Sequence, residues 1–111
     1  MTLNDFQKNA MESAFFTGNE KLHTFGYLTI GLTEEAGEVA GKVKKLFRDH
    51  QGELTPITKK GIGNELGDTL WYLSVLAGKL GYTLEDIAQL NIEKRKDRKK
   101  RNVQGGEGDD R

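Results

Sequence analysis

The 111-residue sequence has no cysteine, one proline, two histidines and a formal net charge of zero. Without cysteine the chain forms neither disulfides nor thiolate metal sites, which suits a reducing compartment. No run approaches the roughly 18 apolar residues of a membrane span, and the N-terminus lacks the order of a signal peptide. Zero net charge gives no global field that attracts nucleic acid. We therefore expect a cytoplasmic protein that binds neither membrane nor nucleic acid stably.

The scarcity of proline favours long helices, and apolar spacing predicts four of them. Their expected ranges are about 4–16, 24–48, 58–80 and 84–101. Asn4 or Asp5 is expected to cap the first helix, Gly81 to end the third and Thr83 to cap the fourth. No strand-type alternation of useful length occurs. The sequence predicts one all-α domain over residues 1–103, followed by a glycine-rich tail at 104–111 that is expected to fray.

The third helical segment is apolar almost all round from Leu66 to Leu80. Such a pattern is typical of a buried helix rather than an amphipathic one. Four helices leave too little chain to wrap it, so we expect a four-helix bundle that is completed by self-association. In that arrangement Trp71 and Tyr72 would face the partner subunit.

Two pairs of acidic residues stand at i, i+3 spacing, Glu35 with Glu38 and Glu65 with Asp68. Antiparallel packing of their helices would bring four carboxylates into one small volume, where repulsion requires bound cations. Oxygen ligands select Mg²⁺ or Mn²⁺ over zinc or copper. The pattern therefore indicates a magnesium site that handles phosphates.

Each acidic motif has a plainer explanation when taken alone. The run from Glu34 to Glu38 fits a solvated helix face, and "ELGD" (65–68) fits a helix N-terminus whose dipole favours acids. Gly37 and Gly67 lie between the acids, and each costs about 1 kcal/mol relative to alanine in a helix. Their presence suggests close helix approach or room for a ligand, and the joint occurrence of both motifs favours a metal site.

The order E-E-x-x-E (Glu34, Glu35, Glu38) and E-x-x-D (Glu65, Asp68) resembles the signature of the all-α nucleoside triphosphate pyrophosphohydrolases of the MazG type. The resemblance extends from about Leu3 to the C-terminus, and the closing "GEGDDR" is similar to single-domain bacterial and phage members. It implies hydrolysis of a (deoxy)nucleoside triphosphate between the α and β phosphates. It also implies that Glu35, Glu38, Glu65 and Asp68 hold Mg²⁺, with Mn²⁺ able to substitute. Catalysis would rest on Glu38 and on Glu34, which would position or deprotonate the attacking water.

The fourth helix matches the family's N-x-x-K-x-x-x-R at Asn91, Lys94 and Arg98, which implies a grip on the β and γ phosphates. Lys42 and Lys45 follow the acidic edge and are further phosphate candidates. An ion pair of Lys42 with Glu38 within the helix is an equal alternative. The basic run at 94–101 also fits a solvated helix end or a nucleic-acid arm.

The resemblance places the base between helices near the N-terminus, and each candidate there is also an ordinary core residue. The candidates are Gln7, Phe15, Phe16, His23 and Trp71. No second histidine stands at metal-ligand spacing, which argues against zinc and against a ferritin-like di-iron centre. The resemblance also implies self-association, because members of the family form homodimers or homotetramers with sites near subunit interfaces. Arg111 would be able to fold back towards a substrate.

Two other functions stay open at this point. One is phosphoribosyl-ATP pyrophosphohydrolase, whose motifs are similar, although the long tail and "GDTLWYL" (67–73) fit the MazG-like branch better. The other is a non-catalytic helical module that binds nucleic acid or a protein partner through residues 94–101. Zero net charge and the converging acids argue against this module.

Overall fold

The computed structural model describes residues 1–14 and 21–111, with side chains from residue 24 onward in the second range. Phe15, Phe16 and the His23 side chain lie outside the described residues. The helices are α1 (Leu3–Ser13), α2 (Lys21–His50), α3 (Pro56–Lys79) and α4 (Leu84–Lys100). Over the described ranges there is no strand, so the all-α prediction is confirmed. None of these helices combines the length and apolarity that crossing a membrane requires.

Threonine capping boxes start three of the helices. In each box the threonine hydroxyl accepts from the third helical N–H, and that residue's side chain accepts from the threonine N–H. The pairs are Thr2 with Asp5, Thr55 with Thr58, and Thr83 with Asp86. The predicted Thr83 cap is confirmed. The predicted starts of the first and third helices are wrong by about two residues, because Asp5 and Thr58 complete the boxes of earlier threonines.

The third helix ends in a left-handed turn at Gly81, as predicted, with a φ of 86°. The Gly81 N–H donates to the Gly78 carbonyl at 3.0 Å, and the Tyr82 N–H donates to the Ala77 carbonyl at 2.9 Å. These two bonds form a Schellman motif, which satisfies carbonyls at the helix end. The turn redirects the chain into α4.

Cross-helix contacts show that α2 and α3 run antiparallel. Gly31 of α2 meets Tyr72 of α3, and Lys42 of α2 meets Glu65 of α3. Residue numbers therefore increase along α2 in the direction in which they decrease along α3. This pairing places the acidic segment of α2 opposite the acidic segment of α3, which is the arrangement that the sequence required for a joint site.

Two glycines allow the helices to approach closely. A Cβ on Gly31 would lie 2.1 Å from Tyr72 Cε1, and a Cβ on Gly78 would lie 2.6 Å from Met11 Sδ. By contrast, a Cβ on Gly37 or Gly67 would meet no heavy atom within 4 Å. Close helix approach at Gly37 and Gly67 was therefore a wrong prediction, and these glycines leave open space beside the acids instead.

The core formed by the described residues is small. Its fully buried apolar side chains are Ala10, Leu28 and Val75, and the side chains packed against them are Phe6, Met11, Ala14, Trp71, Tyr72 and Leu76. Leu66 of α3 and Leu80, the C-cap residue at its end, are 54% and 57% exposed. No helix of the described residues covers these positions, as expected for a chain too short to wrap α3, and their burial by self-association stays a prediction.

Trp71 and Tyr72 pack against the core of the chain, and the prediction that they also face a partner subunit stays a prediction. The Trp71 Nε1–H donates to Ser13 Oγ at 3.0 Å, which ties α3 to the end of α1. Tyr72 lies against Gly31, and the two aromatic rings meet edge to face with centroids 4.9 Å apart. Both rings therefore stabilise the packing of α3 on α1 and α2.

Gln7 joins three helices through its buried amide. Its Nε2 donates to the Ser74 carbonyl at 3.1 Å and to the Tyr82 carbonyl at 2.8 Å. Its Oε1 accepts from the Leu84 N–H at 3.1 Å. The amide satisfies backbone groups of α3, the turn and the first residue of α4, so it fixes α1 on the junction between these helices.

Candidate metal and nucleotide site

The pairing of α2 with α3 brings Glu35, Glu65 and Asp68 together. One carboxylate oxygen from each of these residues lies within 4.8 Å of the others. Glu38, one turn further along α2, is exposed and stays outside this group. The structure therefore gathers three of the four predicted metal ligands, and the ligand role of Glu38 stays a prediction. We call Glu35, Glu65 and Asp68 the acidic triad.

The electrostatics of the acidic triad favour a cation. Partial burial raises the pKa of the Glu35 carboxyl above its usual value, and neighbouring negative charges raise it further. Those charges belong to Asp68, Glu34, Glu65 and Glu38, in decreasing order of effect. A positive ion among the triad would remove this repulsion.

The geometry of the acidic triad suits a small oxygen-loving ion. Octahedral Mg²⁺ holds its ligands at about 2.0–2.1 Å, so two oxygens on one ion are about 2.9–4.2 Å apart. The triad oxygens, within 4.8 Å of one another, approach this spacing, and small side-chain rotations would close the difference. A donor set of carboxylates alone is the set that hard cations prefer. The residues present therefore fit Mg²⁺ or Mn²⁺.

Lys42 lies next to the acidic triad, and Lys45 follows it on α2. Lys42 Nζ is 3.7 Å from Glu65 Oε1, across the two helices. No ion pair of Lys42 with Glu38 is found among the described residues, so the in-helix alternative is wrong. Both lysines line a cleft of about 290 Å³ between α2 and the start of α3. Lys42 therefore lies beside a predicted metal ligand, and Lys45 shares its cleft.

An aromatic pocket that the sequence did not predict lies on the other side of the acidic segment. Its volume is about 150 Å³ and its lining is Tyr27, Ile30, Gly31, Glu34 and Tyr72. The available signal was the spacing, because Gly31 precedes Glu35 by four residues and Tyr72 follows Asp68 by four. Residues four apart share a helix face, so Gly31 and Tyr72 lie on the same helix faces as Glu35 and Asp68.

Tyr72 is held as a neutral phenol in this pocket. A hydrogen bond with Tyr27 raises the pKa of Tyr72 to about 12, and burial adds to the effect. The charges of Glu35 and Glu34 act in the same direction, since a phenolate would be repelled by them. The two tyrosine rings are tilted, with centroids 6.3 Å apart. Their hydroxyls and faces therefore form one connected wall of the pocket.

The predicted phosphate residues of α4 are not joined to the acidic triad within one chain. Over the described residues α4 packs against α1 and α3 but not against α2. Asn91 Oδ1 accepts from Arg95 Nε at 2.8 Å, while Lys94 and Arg98 pair with Asp109. A phosphate role for Asn91, Lys94 and Arg98 stays a prediction.

The predicted base contacts have other partners. The Gln7 amide is engaged by backbone groups, and the Trp71 indole donates to Ser13. The side chains of Phe16 and His23 lie outside the described residues. A base-binding role for these four residues stays a prediction, and for Gln7 it would require breaking bonds that hold the fold together.

Comparison with known proteins identifies the family. Residues 23–103 match the MazG nucleotide pyrophosphohydrolase domain, and this match includes the acidic triad, Lys42 and Lys45. The chain belongs to that family, which supports a nucleotide pyrophosphohydrolase activity. It is also 38% identical to the "Gene 37 protein" of Mycobacterium phage L5 over 114 aligned positions that span all of both chains. No solved structure matches the chain.

Proposed function

We propose that this protein hydrolyses a (deoxy)nucleoside triphosphate between the α and β phosphates, with Mg²⁺, to a nucleoside monophosphate and pyrophosphate. The observation that carries the proposal is the convergence of Glu35, Glu65 and Asp68 in a chain of this family. Three carboxylates without a cation repel one another, whereas with Mg²⁺ they form a centre that binds phosphate oxygens.

The acidic residues have two roles in this proposal. The triad would hold Mg²⁺, with Glu38 as a further ligand after rotation of its exposed side chain. When bound there, Mg²⁺ would supply neutralisation of phosphate charge and a more acidic water. Glu34, in the lining of the aromatic pocket, would accept the water proton or orient the water.

The substrate would lie along the α2–α3 seam. Lys42, which is 3.7 Å from Glu65, would bind the phosphates that extend beyond the metal, and Lys45 in the same cleft would assist it. The nucleoside would enter the aromatic pocket, where the faces of Tyr27 and Tyr72 supply stacking surface for a base. In this arrangement the scissile anhydride would lie near the triad, and the two ends of the substrate would extend to opposite sides of it.

Self-association to a homodimer or homotetramer forms part of the proposal. Large apolar side chains such as Ile30, Ile57 and Leu66 are 54–84% exposed along the α2–α3 hairpin. A second copy seated there would cover them.

The predicted phosphate residues of α4 also favour self-association. This helix does not pack on α2 within the chain, so a second copy would bring substrate phosphates to Asn91, Lys94 and Arg98.

The test is product identification with a panel of dNTPs and NTPs in the presence of Mg²⁺. Monophosphate and pyrophosphate are expected for the preferred base, with activity lost in Glu38→Gln and kept in the control Glu53→Gln, whose glutamate is in the exposed loop after α2. Diphosphate with orthophosphate would overturn the proposal. Absence of turnover with every nucleotide would also overturn it and would direct the assay to phosphoribosyl-ATP.

A further inference from the structure

The segment 104–111, here called the tail, is folded back on the C-terminal half of α4. This packing differs from the frayed tail that the composition predicts. Arg111 is its centre, since the guanidinium donates to the carbonyls of Gln104, Gly105 and Gly108. Arg101 of the parent helix donates in turn to the Arg111 carbonyl. The left-handed glycines Gly106 and Gly108, with φ of 92° and 83°, allow the chain to curl around this side chain.

The folded tail places an acid on two cations. Asp109 Oδ1 accepts from Lys94 Nζ at 3.1 Å and is 3.6 Å from Arg98 Nη2. The same Nη2 donates to the Asp109 carbonyl at 3.1 Å. Lys94 and Arg98 hold the pKa of the Asp109 carboxyl below its usual value. The tail thus presents an anion to the residues that the sequence assigns to phosphates.

The tail satisfies this cation pair incompletely. Arg98 has a side chain that is only 12% exposed, yet its Nε is buried without a hydrogen-bond partner among the described residues. A guanidinium offers five donors in a planar fork, which two oxygens of one phosphate fit side by side. A polyphosphate would supply more acceptor oxygens, and more charge, than the single carboxylate that is present.

We propose that the tail is an intramolecular occupant of an anion site formed by Lys94 and Arg98, and that a polyphosphate ligand displaces it. The inference rests on the proposed function, in which these residues bind substrate phosphates. In consequence the tail competes with the substrate: it keeps two cations paired in the empty protein and lowers affinity for phosphate by the free energy of its own docking.

Inorganic tripolyphosphate is the probe, titrated calorimetrically into the full chain in a chelating buffer without metal. Asp109→Asn removes the competing charge and is expected to tighten tripolyphosphate binding about two- to fivefold, the usual range for a partly exposed ion pair. Asp110→Asn is the matched control, since it removes the same charge at the next position. The Asp110 side chain forms no ion pair among the described residues. The control is expected to bind like the wild type. Adding Lys94→Gln to Asp109→Asn is expected to abolish the gain.

Amide spectra of Gly105, Gly106 and Gly108 provide a second readout. In the wild type their resonances are expected to move on addition of tripolyphosphate towards the positions that Asp109→Asn shows without it. Unchanged or weaker binding in Asp109→Asn would overturn the proposal, as would binding that leaves the glycine resonances in place. Pyrophosphate release from nucleotides separates the two proposals. If the protein releases pyrophosphate but Asp109→Asn does not bind tripolyphosphate more tightly, only the tail inference is wrong. If Asp109→Asn binds tripolyphosphate more tightly but the protein releases no pyrophosphate, only the proposed function is wrong.

Discussion

The ring of Tyr72 lies across Gly31, so close that a Cβ at position 31 would stand 2.1 Å from Cε1 of the ring. This contact sets the separation of α2 and α3 one turn before Glu35. Since Glu35 is on α2 and its triad partners are on α3, the same contact determines how closely the carboxylates approach. The geometry of the candidate metal site thus depends on a glycine that carries no chemistry of its own.

Replacing Gly31 with alanine is expected to destabilise the protein by about 1–3 kcal/mol, because the added methyl group forces the Tyr72 ring or α3 to move. Gly37→Ala is the matched control in the same helix, where a Cβ meets nothing within 4 Å. The control is expected to gain about 0.5–1 kcal/mol from helix propensity. Urea unfolding of both variants measures the difference, and equal stabilities would contradict the close contact.

Gln7→Leu is expected to cost about 2–4 kcal/mol, since it leaves two carbonyls and one N–H without their buried partner. Gln89→Leu serves as the control because Gln89 is exposed and, among the described residues, its side chain bonds only to Glu93 on its own helix. We expect the control to change stability by less than about 0.5 kcal/mol. Similar losses of unfolding free energy in the two variants would show that the amide is not a structural bridge.

Glu35→Gln is expected to have opposite effects with and without Mg²⁺. In a chelating buffer it removes a carboxylate that its acidic neighbours repel, so the variant should melt above the wild type. With excess Mg²⁺ the wild type should gain melting temperature through ligand linkage, and the variant should gain much less. Glu53→Gln is expected to follow the wild type in both buffers. A Mg²⁺-induced shift of equal size in Glu35→Gln would contradict metal binding at the triad.

The raised pKa of Tyr72 predicts that the folded protein loses stability in alkaline solution. Its pKa is raised from an ordinary 10.0 to about 12, so between these values the folded chain keeps a proton that the unfolded chain loses. The stabilisation is complete below pH 10 and is lost as the pH rises towards 12. Tyr72→Phe should flatten this part of the profile, whereas Tyr82→Phe, which leaves Tyr72 in place, should keep it. Melting temperatures across this range provide the measurement, and identical slopes in the two variants would contradict the shift.

The helices and the acidic pairs were predictable because their signals are local. The i, i+3 spacing of Glu65 and Asp68 can be seen in a single segment, and a short loop between α2 and α3 already implies an antiparallel pair. The starts of α1 and α3 were less certain, since Thr2 and Asp5 are both good caps when judged alone. Their reciprocal hydrogen bonds decide the matter, and these exist only in the folded turn.

The close contacts could not be predicted in this way, because they belong to two surfaces at once. Gly31 and Gly37 are equivalent in sequence terms, and only the position of the Tyr72 ring distinguishes them. The docking of Asp109 on Lys94 had the same difficulty, since exposed charges have many available partners. The aromatic pocket was missed because its walls come from separate helices.

Pyrophosphate release across a Mg²⁺ titration, at one fixed concentration of the preferred nucleotide, tests the central claim most directly. The account predicts no release without the metal, release that saturates with Mg²⁺ in the wild type and in Glu53→Gln, and a loss of about 100-fold or more in Glu35→Gln. Release that is independent of Mg²⁺, or that survives in Glu35→Gln at the wild-type rate, would contradict it.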